Sequence, residues 1–270
     1  MTATTETGFH ATDRAVLRVD GPDARAFLQG LVTNDVRRLD DGPVYAALLS
    51  PQGKYLFDFF LVADGGEAVL VDVKADRAAA LAQRLGLYRL RAKVTVAPTD
   101  RAVVVGMGEG TGAPPAGAFA DPRDPALGWR AIVAASEAPA ESGPADAVLA
   151  GVRVARAVPE TGIELLPEDS YILEHGFERL HGVDFRKGCY VGQEVTARMK
   201  HKTELRKGLA RVRIDGEAPP PGTAIMAGDR PAGTLHTVAG DEGLAWLRLD
   251  RADGPLTAGT ARVTRLPPAP

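Results

Sequence analysis

The sequence predicts an α+β chain that ends in a small β-barrel. Apolar runs of strand length alternate with two stretches of helical periodicity before residue 100. After Lys207 the texture changes to short strands at regular spacing, separated by Gly and Pro turns. Hydrophobic residues make up 45% of the 270, enough for one large core or two to three smaller ones.

The elements follow in order. "AVLRVDG" (15–21) reads as a strand, and Gly21-Pro22-Asp23 opens a helix with Ala24, Phe27, Leu28 and Leu31 on its apolar face. Asn34 and Asp35 end that helix in a turn. "VYAALL" and "YLFDFFLV" are apolar strands joined by "SPQGK" (50–54), whose Pro and Gly suit a hairpin loop. "EAVLVDV" makes a third strand after the turn "DGG" (64–66). "DRAAALAQRLGL" (76–87) is an Ala-rich helix, followed by the strand "AKVTVAP". Helices packed on one sheet are the expected result, a first domain over 1–100 completed by part of 148–205.

Two Gly/Pro-rich stretches, 106–128 and 137–147, read as a loop and a boundary, so 101–147 is expected to supply strands and loops of a middle domain. "PEDSYILEHGFERLHG" reads as a helix with Ile172, Phe177 and Leu180 inward, stopped by Gly182. It opens the remainder of 148–205. "LARVRI", "GTAIMAG", "AGTLHTV", "LAWLRLD" and "ARVTRL" are the barrel strands of 206–270.

Composition excludes several function classes. A net charge of −3 argues against indiscriminate nucleic-acid binding, and no run approaches the roughly 18 apolar residues of a membrane span. The start, "MTATTETGFHATDRAVLRVDG", lacks a basic segment followed by an apolar one. One cysteine permits no intramolecular disulfide and no metal site built from this chain's cysteines alone. A reducing compartment and a cytoplasmic location are the expectation, with nothing to suggest an obligate homo-oligomer. His175 and His181 lack a second ligand at metal spacing and read as surface or capping residues, and His236, in a barrel strand, reads as structural. "GMGEG" (106–110) lacks the Lys-Ser/Thr of a phosphate loop and the βαβ setting of a dinucleotide site.

The single cysteine sits in "KGCYVGQE" (187–194). Gly188 permits a sharp turn that leaves the Cys189 sulfur unshielded, and Gly192-Gln193-Glu194 reads as a helix entry with Val195 and Met199 inward. A cysteine just before a helix N-terminus, with Lys187 beside it and Arg198 a turn or two on, is expected to favour its thiolate. The flanks are too polar for a core strand. Between Arg186 and Arg211 stand eight Lys or Arg (Arg186, Lys187, Arg198, Lys200, Lys202, Arg206, Lys207, Arg211) against Glu194 and Glu204, a solvated basic face or a meeting point for an acidic partner.

"KGCYVGQE" followed by "ARMKHK" resembles the signature of YgfZ-like proteins, folate-binding relatives of the glycine-cleavage T-protein that include the mitochondrial factor for late iron–sulfur cluster assembly. "RAFLQGLVTNDV" (25–36), "SPQGKYLFDFFLV" (50–62) and "LYRLRAKVTVAP" (87–98) resemble the family's N-terminal landmarks. The resemblance implies a ring of α+β, ferredoxin-like domains around a central funnel for tetrahydrofolate, with the barrel appended. It implies an accessory role in assembling or repairing iron–sulfur clusters, with Cys189 as the functional residue. One cysteine cannot satisfy a cluster that takes about four thiolates, so the resemblance implies a transient [2Fe–2S] cluster shared with an A-type carrier protein. No intrinsic metal is expected.

Roles follow for the motif. Lys187 is expected to keep Cys189 ionised or to neutralise cluster charge, and Gly188 and Gly192 to allow close backbone approach. Gln193 and Glu194 are expected to bond backbone groups at the helix start, and Tyr190 to pack. For folate, Asp58 sits where T-proteins carry an acid near the substrate, on the strand face opposite Phe57 and Phe59; Asn34 and Arg198 complete the candidate set. Bacterial relatives place tryptophans at the folate site, whereas this chain has Arg14 near the first of those places and only Trp129 before the octet. Two other functions compete. A folate-dependent aminomethyl or one-carbon transferase would need an acid and positioning but no thiolate. A redox sensor would need only one exposed thiolate.

Overall fold

The computed structural model describes residues 8–107, 114–202 and 205–269. The stretch 106–110 singled out above therefore lies mostly outside the described residues. Strands and helices are numbered here in chain order. The first sheet runs β3 (Val44–Leu49), β4 (Tyr55–Ala63), β5 (Val69–Lys74), β2 (Arg14–Asp20), β6 (Thr95–Pro98), all neighbours antiparallel. Helices α1 (Ala24–Gln29) and α2 (Ala75–Tyr88) cover one face, where Leu17, Val19, Phe57, Phe59, Leu61 and Val71 meet Leu28, Leu81 and Leu85.

The opposite face is buried too, which is why β3 and β4 read as continuous apolar runs. Val16, Tyr45, Leu49, Tyr55, Phe60 and Leu70 there meet a second sheet, helix α3 (Ala145–Arg156) and the segment with Ile172, Phe177 and Leu180. That second sheet has the order β10 (Ser142–Gly143), β1 (Phe9–Ala11), β7 (Arg101–Gly106), β9 (Trp129–Ala134), β8 (Phe119–Ala120). Because β1 pairs with β7 and β10, the first strand among the described residues belongs to the second sheet, and the expected boundary at residue 100 is crossed.

The barrel closes as expected. Strands β11 (Lys207–Asp215), β14 (Glu242–Arg248), β13 (Arg230–Ala239), β12 (Ala224–Ala227), β15 (Leu256–Ala258) and β16 (Ala261–Arg265) pair in that order, and β16 returns to β11. Val212, Ile225, Leu235, Leu247, Leu256 and Val263 fill it.

Two sequence expectations need correction. Residues 167–182 hold only a short 3-10 turn, Ile172–His175, and no α-helix. Gly176 adopts φ +76 and His181 φ +54, so the chain turns back twice, although Ile172, Phe177 and Leu180 are buried as expected. The stretch 137–147 is more than a linker: β10 and the first turn of α3 lie in it.

Candidate functional site around Cys189

The last helix, α4 (Gln193–Lys202), begins four residues after Cys189, as the octet predicted. Its start is seated on the β3–β4 loop by two glycines. Gly192 has φ +81, and a Cβ there would lie 2.5 Å from Ser50 O; a Cβ on Gly53 would lie 2.7 Å from Val195 Cβ. Only glycine fits at either place. Thr196 is buried, and Val195 and Met199 are half-buried beneath the helix. Gln193 caps as expected: its Oε1 accepts from Tyr190 N at 3.1 Å. Glu194 is exposed in the first turn.

Cys189 is exposed, between Gly188 at φ +99 and the buried Tyr190. Its exposure and the packing of Tyr190 agree with expectation, but the environment of Lys187 does not. Lys187 is buried, and its ammonium turns inward to donate to Gln29 O at 2.5 Å and Val32 O at 2.6 Å, carbonyls at and just after the end of α1. Gln29 returns the contact, its Nε2 donating to Lys187 O at 3.1 Å while its Oε1 accepts from Val36 N at 2.8 Å. This clasp fixes the backbone just before Cys189. Burial pushes the Lys187 ammonium down to about 8, against the opposing pull of Asp35 and Asp184. Lys187 thus anchors the cysteine loop, and its hydrogen bonds go to carbonyls and not to the sulfur. Sequence reading missed Gln29 because its partner lies 158 residues away.

The folate set is placed differently from expectation. Asp58 does lie on the face opposite Phe57 and Phe59, but that face is packed and Asp58 is only 6% exposed. Its carboxylate accepts from Tyr45 Oη at 2.9 Å, from Tyr55 Oη at 2.7 Å and from Thr161 Oγ1. Around it Asp72 binds Arg14 at 2.7 Å and Arg130 at 2.9 Å, and Asp121 binds Arg130 at 2.9 Å and Arg123 at 2.8 Å. The three guanidinium groups stand 5.8, 4.9 and 4.1 Å from the centre of the Phe60 ring (Arg14, Arg123 and Arg130 in turn), each almost wholly buried. In this arrangement the Asp58 carboxylate and the guanidinium groups around it are already bonded to protein, so these residues do not fit tetrahydrofolate as a ligand. Asn34 is also engaged, its Nδ2 donating to Tyr45 O at 2.8 Å and His181 O at 2.6 Å. Arg198 is exposed on α4. The aspartates buried within apolar strands, Asp58 and Asp72, were the visible sequence signal for this polar core; the tyrosines and threonine that bind Asp58 and the arginines that bind Asp72 gave none.

One histidine also needs correction. His175 is buried, its Nδ1 3.0 Å from Tyr171 O, and burial lowers its pKa. It is a core residue and not a surface one. No group of three or more His, Cys, Asp or Glu among the described residues is arranged to hold a metal ion.

With this geometry in view, the fold resembles the crystal structure of the glycine cleavage system aminomethyltransferase T from Bartonella henselae, with a TM-score of 0.78 over 97% of this chain and 86% of that one. Identity is 12%, so this likeness concerns the fold alone. Residues 206–269 match the family model described as CAF17, C-terminal beta-barrel domain. The human iron–sulfur cluster assembly factor IBA57, mitochondrial, is 33% identical over 92% of this chain and 79% of its own length. This chain belongs to the IBA57 family. The mouse IBA57 protein is 30% identical over 94% of this chain and 81% of its own length. The IBA57 homolog of Mycosarcoma maydis is 34% identical over 83% of this chain, which spans 59% of that longer protein. All three relatives are mitochondrial by name, so the expected cytoplasmic location is overturned, and the IBA57 family points to the mitochondrion. No helix among the described residues is long and apolar enough to cross a membrane.

Proposed function

We propose that this chain acts in iron–sulfur cluster assembly by offering Cys189 as one thiolate ligand to a [2Fe–2S] cluster held mainly by a carrier protein. The observation that carries the reading is an exposed sole cysteine on a loop clasped by Gln29 and Lys187 and seated by Gly192. A single thiolate completes a cluster only with ligands from elsewhere. That limit favours a bridging role, in which the cluster joins two proteins and leaves when the partner exchanges ligands. The thiol proton goes to solvent when the iron–sulfur bond forms. An A-type carrier is the partner whose function suits such sharing, and membership of a family of assembly factors supports the reading. Folate is given no part in this step.

The test mixes this protein with an A-type carrier loaded with [2Fe–2S]. Wild type is expected to give a one-to-one complex by size exclusion with altered visible circular dichroism, and Cys189→Ala to give neither. A complex indifferent to the substitution would remove Cys189 from the mechanism.

A further inference from the structure

The two most exposed large apolar side chains among the described residues lie together at the end of α2, far along the chain from Cys189. Leu87 is 67% exposed and Leu90 90% exposed. Leu90 also has φ +41, a left-handed conformation that a bulky residue adopts only under constraint, so the backbone is held in a costly shape that turns a leucine to water. Leu87 forms one wall of a hollow of about 320 Å³ whose other lining includes Leu56, Phe57, Arg77, Arg84 and Pro167. Apolar floor and exposed apolar lip together mark a contact surface.

The charge around this hollow is one-sided. Residues 75–93 carry Arg77, Arg84, Arg89, Arg91 and Lys93 against Asp76 alone, in a chain whose net charge is −3. Arg77 lies over the Phe57 ring at 5.0 Å, and its Nη2 donates to Leu56 O at 3.4 Å. Arg77 and Arg84 both line the hollow, and their positive charge beside its apolar floor suits a carboxylate brought in by a ligand. Glu168 on the far lip is the nearby exception.

We propose that this groove docks a protein segment of acidic amphipathic character, a short helix with leucine-sized anchors at i, i+3 and i+4 and glutamates or aspartates between them. The anchors enter between Leu87 and Pro167, and the acids meet Arg77, Arg84 and Arg89. An anionic membrane would also attract exposed leucines and arginines, but it offers a flat surface and leaves the hollow and Arg77 unmet. The site is independent of the cluster reading.

The probe is a synthetic helix-forming peptide of that pattern, fluorescently labelled, with a second peptide in which every glutamate is replaced by lysine. Anisotropy with the full chain is expected to show saturable binding of the acidic peptide, weakened by salt and weakened about tenfold or more by Leu87→Asp or Arg84→Glu. Both positions are on the helix surface, and unchanged circular dichroism melting would verify their folding. Equal behaviour of the two peptides would overturn the proposal. So would peptide binding indifferent to both substitutions, or binding to anionic phospholipid vesicles without binding of the acidic peptide.

Discussion

At the residue scale, Cys189 and Lys187 do different work although two positions separate them. Cys189 is exposed and touches little, so Cys189→Ala is expected to leave the unfolding midpoint within about 0.5 kcal/mol of wild type while removing cluster-dependent association. Lys187 is held against carbonyls, and its charge is opposed by burial. A lysine lowered to about 8 in the folded state and near 10.4 in the unfolded one makes folding release a proton between those values. Its contribution is full above the unfolded value and is lost as pH falls through about 8. Denaturant midpoints measured at pH 7 and pH 10 should show this component in wild type and not in Lys187→Met. An identical pH slope in the two proteins would mean that the ammonium is solvated in the folded state. The sequence displayed the octet plainly, because glycine spacing and a lone cysteine are local features. The inward turn of Lys187 was hidden, since the carbonyls it serves lie at the end of α1 and in the turn after it.

At the element scale, the loop bearing Cys189 is fixed by how α4 meets the β3–β4 hairpin. Gly192 and Gly188 both have positive φ, but only Gly192 also lacks room for a Cβ. Gly188→Ala is expected to cost about 1 kcal/mol from backbone strain alone. Gly192→Ala adds a collision with Ser50 O and should cost about 2–3 kcal/mol, read from chemical unfolding. Equal losses would indicate that the hairpin yields freely. The strands of the first sheet and the barrel were legible, because alternation and turn residues are set by the chain's immediate neighbours. The segment 167–182 misled because Ile172, Phe177 and Leu180 have helical spacing, yet Gly176 and tertiary packing on Tyr45 bend the chain instead. The part played by β1 in the second sheet was likewise invisible, since its partners Val104 and Val105 lie nearly a hundred residues on.

At the scale of the whole molecule, buried ion pairs join the parts. Arg153 on α3 binds Glu164 at 3.0 Å and Thr237 Oγ1 in the barrel at 3.0 Å, with both charged side chains fully buried. Arg153→Met leaves Glu164 uncompensated and is expected to cost about 3–5 kcal/mol, with faster hydrogen exchange concentrated in β13. Exchange unchanged in β13 would show that the barrel is held by other contacts. Glu160 tells the same story through pH. Burial raises its pKa, but Lys74, Arg14 and Arg153 outweigh burial and hold the carboxyl at about 2. Its stabilisation is present above the ordinary carboxylate range and lost as pH falls through about 2, so Lys74→Met should move acid unfolding to higher pH. Charge pairs pack between the two sheets, and the proposed chemistry rests on the exposed Cys189. Native mass spectrometry of this chain with a [2Fe–2S]-loaded A-type carrier tests that claim most directly. The account predicts an ion with the mass of both chains plus one cluster, absent for Cys189→Ala. A cluster-bearing complex of the same abundance in the variant would contradict it.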